Sequence, residues 1–255
     1  MAGLRSLLDD PEKSAGLSAK KRAALGRAAR ERQARVEAAV ARLPALEAKQ
    51  AELAKKVSEK DKGKLREPRA STTDAQARVM KMPDGGFRPA VNVQLATDTA
   101  GRAVVGVEVV GEGVDTGQLE PMRRQVEART GLEVAEHLAD GGFLTLADVD
   151  RAAESGVTLY CPPKPPRNKQ LRGSEYEPRA SDTEAQKAWR ARMGSEAGKA
   201  VYKERAATSE TVNADLKSYR GLVQLTVRGL AKAKCVALWC ALAYNVMHFA
   251  AALAG

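Results

Sequence analysis

The stretch Val134-Ala-Glu-His-Leu-Ala139, followed directly by Asp140-Gly-Gly-Phe143, is the part of the sequence that decides the fold. Its first half is short and largely apolar, as a buried strand is. The segment from Leu144 to Glu154 is predicted to be a helix that starts at Thr145. Val157-Thr-Leu-Tyr160 is predicted to be a second short strand. A strand, a helix and a strand in this order predict a βαβ unit with two parallel strands.

The residues before this unit predict a β-hairpin and a helix. Apolar and polar residues alternate in Val91-Asn-Val-Gln-Leu-Ala-Thr97, which is typical of a half-buried strand. Asp98-Thr-Ala-Gly101 is a turn, and Ala103-Val-Val-Gly-Val-Glu-Val-Val110 is a second, more buried strand. Gln118 to Thr130 then reads as a helix that Gly131 ends.

The N-terminal region, residues 1–66, is predicted to contain a helical hairpin followed by an exposed linker at Lys60–Lys64. Residues 18–43 are dominated by Ala and Arg, and Pro44 is expected to break this helix because proline lacks a backbone donor. A second helix is expected from about 44 to 59. A thin apolar stripe that runs through both helices, from Val36 to Val57, favours a helical hairpin or a coiled coil.

The C-terminal region begins at the clearest boundary in the chain, Cys161-Pro-Pro-Lys-Pro-Pro166. We expect an irregular segment over about 161–181, followed by helices at about 182–192 and 195–218. The apolar stretch Lys232–Leu253 is long enough to raise the question of a bilayer span. Its polar residues and many alanines favour a core helix packed against a sheet, so no membrane partner is expected.

The charge distribution points to a polyanionic partner. The net charge is +10, with 18 Lys and Arg against 10 Asp and Glu in residues 1–70, 8 against 14 in residues 71–160, and 16 against 8 in residues 161–255. An acidic centre between basic ends fits a carboxylate metal site within a phosphate-binding frame. Ordinary solvated surface with uneven charge explains the same counts.

The cysteine and histidine content limits the possible metal chemistry. The three cysteines form no C-x-x-C pair and there are two histidines, so disulfide frameworks and zinc sites are disfavoured. Carboxylates would have to hold any metal, which suits Mg²⁺ or Mn²⁺. No basic stretch followed by an apolar run comes after Met1, so we expect no signal peptide and a cytoplasmic location.

Asp140 is the strongest candidate for a functional carboxylate. It follows a buried strand, where α/β folds place ligand-binding groups, and two glycines leave it uncovered. An ordinary turn residue in an Asp-Gly pair is the alternative. The same phrase at Asp84-Gly-Gly-Phe87 has no buried strand before it and is predicted to be such a turn.

A second candidate set consists of Tyr202, Arg205, Glu210 and Lys217. Glu210 and Lys217 are seven residues apart and therefore share a helix face. A carboxylate between basic residues suits a metal ligand beside a bound phosphate, although a solvated helix face with salt bridges has the same composition.

Three further patterns carry less weight. Gly111-Glu-Gly-Val-Asp-Thr-Gly117 departs from the dinucleotide-binding spacing, so no nucleotide cofactor is expected. The phrase Glu-Pro-Arg-Ala-Ser occurs at 67–71 and 177–181 and precedes two predicted capping boxes, at Ser71–Asp74 and Ser181–Glu184. They are interpreted as two similar helix starts.

From about Glu67 to Ala250 the chain resembles bacterial insertion-sequence transposases of the DDE class, which have a ribonuclease H-like catalytic fold. The resemblance rests on Ser71-Thr-Thr-Asp-Ala-Gln-Ala-Arg-Val-Met80, on Gly86-Phe-Arg-Pro-Ala-Val-Asn-Val-Gln-Leu-Ala-Thr-Asp98, on Leu138-Ala-Asp-Gly-Gly-Phe143, on the Tyr202, Arg205, Glu210 and Lys217 set, and on Val227-Arg-Gly-Leu-Ala-Lys232. It implies one α/β domain at 67–255 with a mixed sheet flanked by helices.

The resemblance also implies a function for each candidate residue. Asp140 and Glu210 would be the second and third catalytic carboxylates and would bind Mg²⁺ or Mn²⁺. Tyr202, Arg205 and Lys217 would hold the DNA end. Such enzymes cleave and transfer DNA strands with two ions bound by three carboxylates, and a homo-oligomer acting on transposon ends and target DNA is expected.

One departure from the family bears on activity. The family's first Asp lies on a strand upstream of a helical insertion that residues 1–66 resemble, and no such strand is seen before them. The sequence therefore predicts a truncated transposase that lacks its first strand and one carboxylate and is weak or inactive by itself. Asp98 and Asp115 could substitute, although roles as turn or cap residues are favoured.

Two other kinds of function stay open at this point. The chain could be a non-catalytic DNA-binding or dimerising remnant that modulates an intact transposase. It could also be a helical interaction protein whose acidic centre is incidental. Salt-dependent DNA binding without cleavage would distinguish the first from the second.

Overall fold

The computed structural model describes residues 17–254 except 64, 66, 83 and 167. The first 16 residues of the predicted N-terminal helical region, which also bear on the signal-peptide expectation, lie outside this part. The described helices of four residues or more are α1 (Ala19–Lys56), α2 (Glu59–Lys62), α3 (Leu119–Thr130), α4 (Leu146–Glu154), α5 (Glu184–Gly194), α6 (Glu196–Arg205), a π-helical segment (Ala206–Glu210), α7 (Thr211–Tyr219), α8 (Leu230–His248) and α9 (Ala250–Ala254).

Six short strands accompany these helices in the described residues. They are β1 (Arg78–Lys81), β2 (Phe87–Ala90), β3 (Asn92–Thr97), β4 (Val104–Val110), β5 (Glu136–Leu138) and β6 (Thr158–Tyr160). The chain divides into two compact units, one reaching Val91 and including Arg228–Leu230, the other comprising Asn92–Val227 and the residues from Ala231 onwards.

The first unit contains the long helix α1, which continues through Pro44. The prediction of a break and a helical hairpin was therefore wrong. Proline costs about 3 kcal/mol inside a helix, but the Ala-, Arg-, Glu- and Lys-rich sequence on both sides favours helix strongly. Ser18 begins the helix as predicted by accepting from the N–H of Lys21 at 3.3 Å.

The same unit contains the β1–β2 hairpin and a turn at Ser71. The Asp84 phrase is a turn, as predicted: Asp84 Oδ1 accepts from the N–H of Gly86 at 3.0 Å, and Gly85 has φ +81°. Ser71 Oγ accepts from the N–H of Thr73 at 3.2 Å, but no α-helix follows. The predicted capping box at Ser71 is therefore a local turn.

The second unit contains the predicted β3–β4 hairpin with α3 packed against it. The strands are antiparallel from Asn92↔Val110 to Ala96↔Gly106. A Cβ on Gly106 would lie 2.5 Å from the sulfur of Met122, so the absence of a side chain at Gly106 lets α3 approach β4 closely.

The predicted βαβ unit is confirmed. β5 and β6 pair in parallel, and α4 connects them. Thr145 and Asp148 form a reciprocal capping box at the start of α4. The buried apolar cluster around this unit comprises Leu119, Ala139, Leu144, Val149, Leu159, Cys161, Trp189 and Met193.

The sheet differs from the expectation. The described strands form three separate two-stranded sheets, β1–β2, β3–β4 and β5–β6, rather than one mixed sheet. The mixed α/β class is confirmed, but within the described residues no hydrogen-bonded strand joins β3 to β5. More of the described residues lie in helices than in strands.

The two helices predicted after the irregular segment are present within about two residues of their expected bounds. Thr183 rather than Ser181 caps α5, since its hydroxyl accepts from the N–H of Gln186 at 3.2 Å. The neighbouring Asp182 instead forms a buried ion pair with Arg190 at 2.7 Å. The repeated phrase therefore leads to different local structures.

The C-terminal helix α8 is long and apolar enough to cross a membrane. This is weak evidence for a membrane span, because core helices of soluble proteins can have the same length and composition. The predicted packing against a sheet is confirmed at Asn245, which accepts from the N–H of Val104 at 2.8 Å and donates to its carbonyl at 2.9 Å. The prediction of a core helix holds only in part, because Trp239 and Met247 are each 65% exposed.

Candidate functional site

Asp140 lies at the carboxyl end of β5, as the sequence predicted. The N–H of the preceding Ala139 still donates to Tyr160 of β6, at 3.0 Å, and the strand ends there. The N–H of Phe143 donates to the Asp140 carbonyl at 3.0 Å and closes a tight turn. The carboxylate itself is exposed.

A glycine is required at position 141 because another part of the backbone approaches it closely, not because of its own backbone angles. A Cβ at this position would lie 2.8 Å from the carbonyl oxygen of Pro162. At Gly142 the nearest atom, an oxygen of Asp115, would be 3.9 Å away. The two glycines thus serve different purposes, and the first keeps the Asp140 turn against the segment after β6.

A cavity of about 490 Å³ opens beside Asp140. Strands β3 and β5 border it along their lengths, α3 contributes apolar side chains such as Met122, and the segment 205–213 contributes polar ones. Both Asp115 and Asp140 line this space, together with Arg205. The cavity thus brings carboxylates and a guanidinium together beside open volume.

The two proposed substitutes for a missing carboxylate have different environments. Asp98 is a turn residue, as favoured, because its side chain accepts from the N–H groups of Ala100 and Gly101 at 3.4 and 2.5 Å. Asp115 does not use its side chain as a helix cap. Its Oδ1 accepts from Asn92 Nδ2 and Gln94 Nε2, both at 2.7 Å.

Sequence reasoning missed Asn92 and Gln94. They are two residues apart on β3 and therefore lie on the same face, which holds them both against Asp115. Two amides spaced i, i+2 in a strand between apolar residues are a signal that could have been found. They fix the Asp115 carboxylate at the cavity wall.

A π-helical segment lies between the predicted candidate residues Arg205 and Glu210. α6, the segment and α7 follow one another without a break from Glu196 to Tyr219, as the sequence predicted for one helix. Thr208, within the segment, is buried and donates to the Glu204 carbonyl at 2.8 Å. π-helical turns are rare in proteins, and those that occur are often found at functional sites.

Arg205 is the centre of the C-terminal candidate set. Its Nη2 donates to Glu210 Oε1 at 2.7 Å, and its guanidinium carbon lies 5.5 Å from the centre of the Tyr202 ring. The Arg205 side chain is 23% exposed and that of Glu210 is 56% exposed. The structure therefore brings Tyr202, Arg205 and Glu210 together, and Arg205 also reaches the cavity of Asp140.

Glu210 and Lys217 lie outside this cavity. Within the part of the chain that the structure describes, neither contributes to its lining. Lys217 is exposed on α7. Of the five residues singled out from the sequence, Asp140 and Arg205 thus share the cavity, Tyr202 and Glu210 contact Arg205, and Lys217 stands apart.

The surroundings of Asp140 raise the pKa of two neighbouring side chains, Cys161 and Tyr202. Burial, with further repulsion from Asp140, raises the pKa of the Cys161 thiol to about 12, and its sulfur lies 3.1 Å from the Asp140 carbonyl oxygen. Burial also raises the pKa of Tyr202, while the positive charge of Arg205 opposes the rise. Both side chains are therefore neutral near pH 7.

The carboxylates do not form a metal centre in this arrangement. Among residues 17–254, with the four gaps noted above, no three His, Cys, Asp or Glu side chains are grouped as metal ligands. Asp115 is bound by two amides and Glu210 by Arg205, so Asp140 alone of the three has a carboxylate without a hydrogen bond from the described side chains. Carboxylate oxygens are suitable ligands for Mg²⁺, but the positions of these three carboxylates do not suit a shared ion.

Comparison with known proteins gives one match. Residues 160–250 match the family model described as a transposase DDE domain. The matched segment contains Tyr202, Arg205, Glu210 and Lys217, whereas Asp140 precedes it. No curated protein and no solved structure matches the chain significantly.

Proposed function

We propose that the chain acts on DNA in the transposition of an insertion sequence, since residues 160–250 match the family model described as a transposase DDE domain. The family match carries this proposal, because it covers the segment in which Tyr202, Arg205 and Glu210 are in contact. Composition supports it independently: residues 161–255 carry 16 Lys and Arg against 8 Asp and Glu, a balance suited to a polyanion.

In this proposal the DNA contacts come from the helix that contains the π-helical segment. Arg205 would offer a guanidinium to a phosphate, with Tyr202 beneath it to hold the planar group in place. The exposed Lys217, about three turns further along, would add a second phosphate contact. These are positioning contacts that bind any DNA sequence.

The proposal for strand cleavage is narrower. Asp140 and Glu210 would be the ligands of Mg²⁺ or Mn²⁺ in a cleaving enzyme of this class. In the structure Glu210 is paired with Arg205 and lies outside the cavity of Asp140, so the residues present do not fit an ion held between them.

A second candidate function follows from that same observation. The chain would bind transposon DNA without cutting it and would modulate an intact transposase. The Arg205–Glu210 ion pair favours this candidate, since it neutralises the carboxylate that cleavage would require. Arg205 would then exchange Glu210 for a DNA phosphate on binding.

The experiment measures DNA binding and nicking on the same purified chain. Binding to a double-stranded DNA fragment is followed by fluorescence anisotropy between about 50 and 200 mM salt, and a loss of at least tenfold is expected from phosphate contacts. Arg205→Ala should weaken binding. Lys199→Ala, on the same helix and paired with Glu196, is the matched control.

Nicking of supercoiled plasmid is then measured with Mn²⁺. Asp140→Ala and Glu210→Ala are compared with Asp84→Ala, which changes the same Asp-Gly-Gly-Phe phrase in a plain turn. If Asp140→Ala and Glu210→Ala abolish nicking while Asp84→Ala retains it, the result supports a cleaving enzyme. Binding without nicking supports the second candidate, and a folded chain that binds no DNA contradicts both.

A further inference from the structure

The first part of helix α1 carries a concentrated positive charge. Residues 19–35 contain seven Lys and Arg residues and a single acidic residue, Glu31. Residues 36–56, the rest of the same helix, contain four Lys and Arg residues against three Glu. The excess therefore belongs to residues 19–35, which we call the basic segment. Its cations are Lys20, Lys21, Arg22, Arg27, Arg30, Arg32 and Arg35.

Most of these cations have no acidic partner. All except Arg35 are exposed, and among the described residues none of those six forms an ion pair. Arg35 itself reaches Glu31 only at 4.0 Å. On other helix surfaces several exposed lysines do pair, each with a glutamate three residues before it: Lys55 with Glu52, Lys187 with Glu184, and Lys199 with Glu196. Salt bridging along a helix surface therefore does not account for the basic segment.

The stability of α1 does not account for it either. Lys20, Lys21 and Arg22 lie in the first turn, which contains no acidic residue. The helix dipole places its positive end there, so positive side chains are unfavourable at this position. Neighbouring cations along the segment also repel one another. The charges thus raise the free energy of the free helix, and a bound anion would lower it.

The spacing of the cations suits an extended polyanion. Lys20 and Arg27 are seven residues apart and share a helix face, and Arg30 lies one turn beyond Arg27. From residue 20 to residue 32 the segment is about 18 Å long, at 1.5 Å per residue. Duplex DNA carries one negative charge per about 1.7 Å of its axis, so several phosphates lie within that length.

The other side chains of the basic segment favour a nucleic acid over a lipid surface. A helix that lies on a membrane needs large apolar side chains to insert. The exposed large hydrophobic residues of α1 are Val40 and Leu53, and both lie outside the segment. Between the cations the exposed residues are small, as at Ala23, Ala24 and Ala28. A helix with such short side chains can enter the major groove of DNA, which is about 12 Å wide.

We propose that the basic segment is a second DNA-binding surface, which contacts the phosphates of duplex DNA without reading its sequence. The inference rests on the proposed function for the identity of the partner. It concerns other residues, in the other compact unit, than Arg205 and Lys217. Each phosphate contact releases counterions, so the segment would contribute mainly to affinity and to its salt dependence.

The first test measures the salt dependence of DNA binding by the full chain. One variant combines Lys20→Gln, Arg27→Gln and Arg30→Gln, because Gln has nearly the helix propensity of Lys and Arg. Binding to a duplex of about 30 base pairs is followed by fluorescence anisotropy between about 50 and 200 mM salt. The slope of log affinity against log salt should fall by about 2–3, at about 0.9 per lost phosphate contact. Affinity at 100 mM salt should fall at least tenfold.

The matched control removes the same charge elsewhere in the same unit. It combines Lys55→Gln, Lys60→Gln and Lys62→Gln, of which the first and last residues are paired with Glu52 and Glu59. The slope should change by less than about 1 in this control. Circular dichroism of both variants reports that the helices remain formed.

A second test detects the contact itself. Cys235→Ser removes the exposed thiol, since Cys161 and Cys240 are buried. Ala23→Cys then carries a photoactivatable aryl azide between Lys20 and Arg27, and Ala41→Cys carries it five turns further along the same face. Both alanines are exposed. Irradiation should cross-link the duplex to position 23 at least fivefold more than to position 41.

The outcomes separate this inference from the proposed function, since Arg205→Ala is measured in the same assay. An unchanged slope in the triple basic-segment variant, beside a reduced slope in Arg205→Ala, would overturn the inference and leave the proposed function standing. The reverse result would support the basic segment and remove Arg205 from the DNA contacts. Equal losses in the two triple variants, or equal cross-linking at positions 23 and 41, would show that only general charge matters and would overturn the inference.

A lipid arm completes the test. The chain is sedimented with vesicles that contain about one-third phosphatidylserine, and we expect no binding that depends on the basic segment. Binding to these vesicles that the triple variant abolishes, in a chain that does not bind the duplex, would assign the segment to a membrane surface. That result would overturn the inference.

Discussion

Arg205 and Glu210 are joined by an ion pair of 2.7 Å that spans the π-helical segment between α6 and α7. In an α-helix, residues five apart do not lie one above the other, whereas a π-helical turn brings them closer. The segment thus places the carboxylate on the same guanidinium that stacks on Tyr202 and lines the cavity of Asp140. Whatever Arg205 binds must compete with Glu210.

That competition gives the first prediction. Glu210→Gln should increase DNA affinity by a few fold, because it removes the charge that neutralises Arg205. Arg205→Ala should weaken binding and reduce the slope of log affinity against log salt by about 1, as expected for one lost phosphate contact. Anisotropy titrations at several salt concentrations measure both quantities.

The control for this pair is Glu196→Gln, which releases Lys199 on the same helix. An equal gain from Glu210→Gln and Glu196→Gln would mean that general charge, rather than Arg205, is responsible. An unchanged salt slope in Arg205→Ala would remove Arg205 from the DNA contacts.

The two glycines after Asp140 give the second prediction. Gly141→Ala should lower the free energy of unfolding by about 1–3 kcal/mol, because the new Cβ would lie 2.8 Å from a backbone oxygen of Pro162 that cannot move freely. Gly142→Ala should change it by at most about 0.5 kcal/mol, since its nearest contact is an ordinary one at 3.9 Å. Urea unfolding followed by circular dichroism measures both variants.

An equal effect of the two substitutions would contradict the close approach. Asp140→Ala distinguishes stability from function here. Its carboxylate is exposed, so its loss should leave the unfolding curve nearly unchanged.

The local structure was largely predictable from the sequence, because neighbouring residues determine it. The hairpin of β3 and β4, the capping box at Thr145 and the end of α3 at Gly131 depend on strand alternation and capping chemistry. Pro44 shows the limit of such rules. The helical preference of nearly forty residues outweighs the cost of one proline.

The arrangement of the site was less predictable, because it depends on contacts between distant residues. Asp140 was placed correctly at a strand end, but the cavity beside it requires the meeting of β3, β5 and the segment after Arg205. The pairing of Asp115 with Asn92 and Gln94 joins residues more than twenty positions apart. The π-helical turn has no simple sequence signature, so the contact of Glu210 with Arg205 could not be derived from spacing.

The cysteines give the third prediction. At pH 8, iodoacetamide should label Cys235 in the folded chain, because that thiol is exposed, and should label Cys161 only on unfolding. Burial raises the pKa of the Cys161 thiol to about 12, so the reactive thiolate is scarce at that site. Mass spectrometry of the labelled peptides follows each site, and Cys235→Ser should remove the fast phase. Rapid native labelling of Cys161 would mean that the core beside Asp140 opens readily.

The buried ion pair between Asp182 and Arg190 gives the fourth prediction. The two side chains are 1% and 4% exposed, and Arg190 also donates to the carbonyl of Glu175. Arg190→Leu would leave the Asp182 carboxylate buried without its partner and should cost about 3–5 kcal/mol of unfolding free energy. Arg192→Leu, two residues further along α5, is the control and should cost less. Denaturant unfolding at pH 7 measures both variants.

The same pair should make stability depend on pH in the acid range. Burial alone would raise the pKa of Asp182, but hydrogen bonds from the Arg179 N–H and from Arg190 outweigh it and hold the pKa below its ordinary value of 3.8. The stabilisation is therefore present above pH 3.8 and is lost as pH falls through the lower, folded-state pKa. Asp182→Asn should be less stable than the parent chain at pH 7, and the difference should shrink below pH 3.8. A difference that stays constant down to pH 2 would show that the carboxylate's charge contributes nothing to the pair.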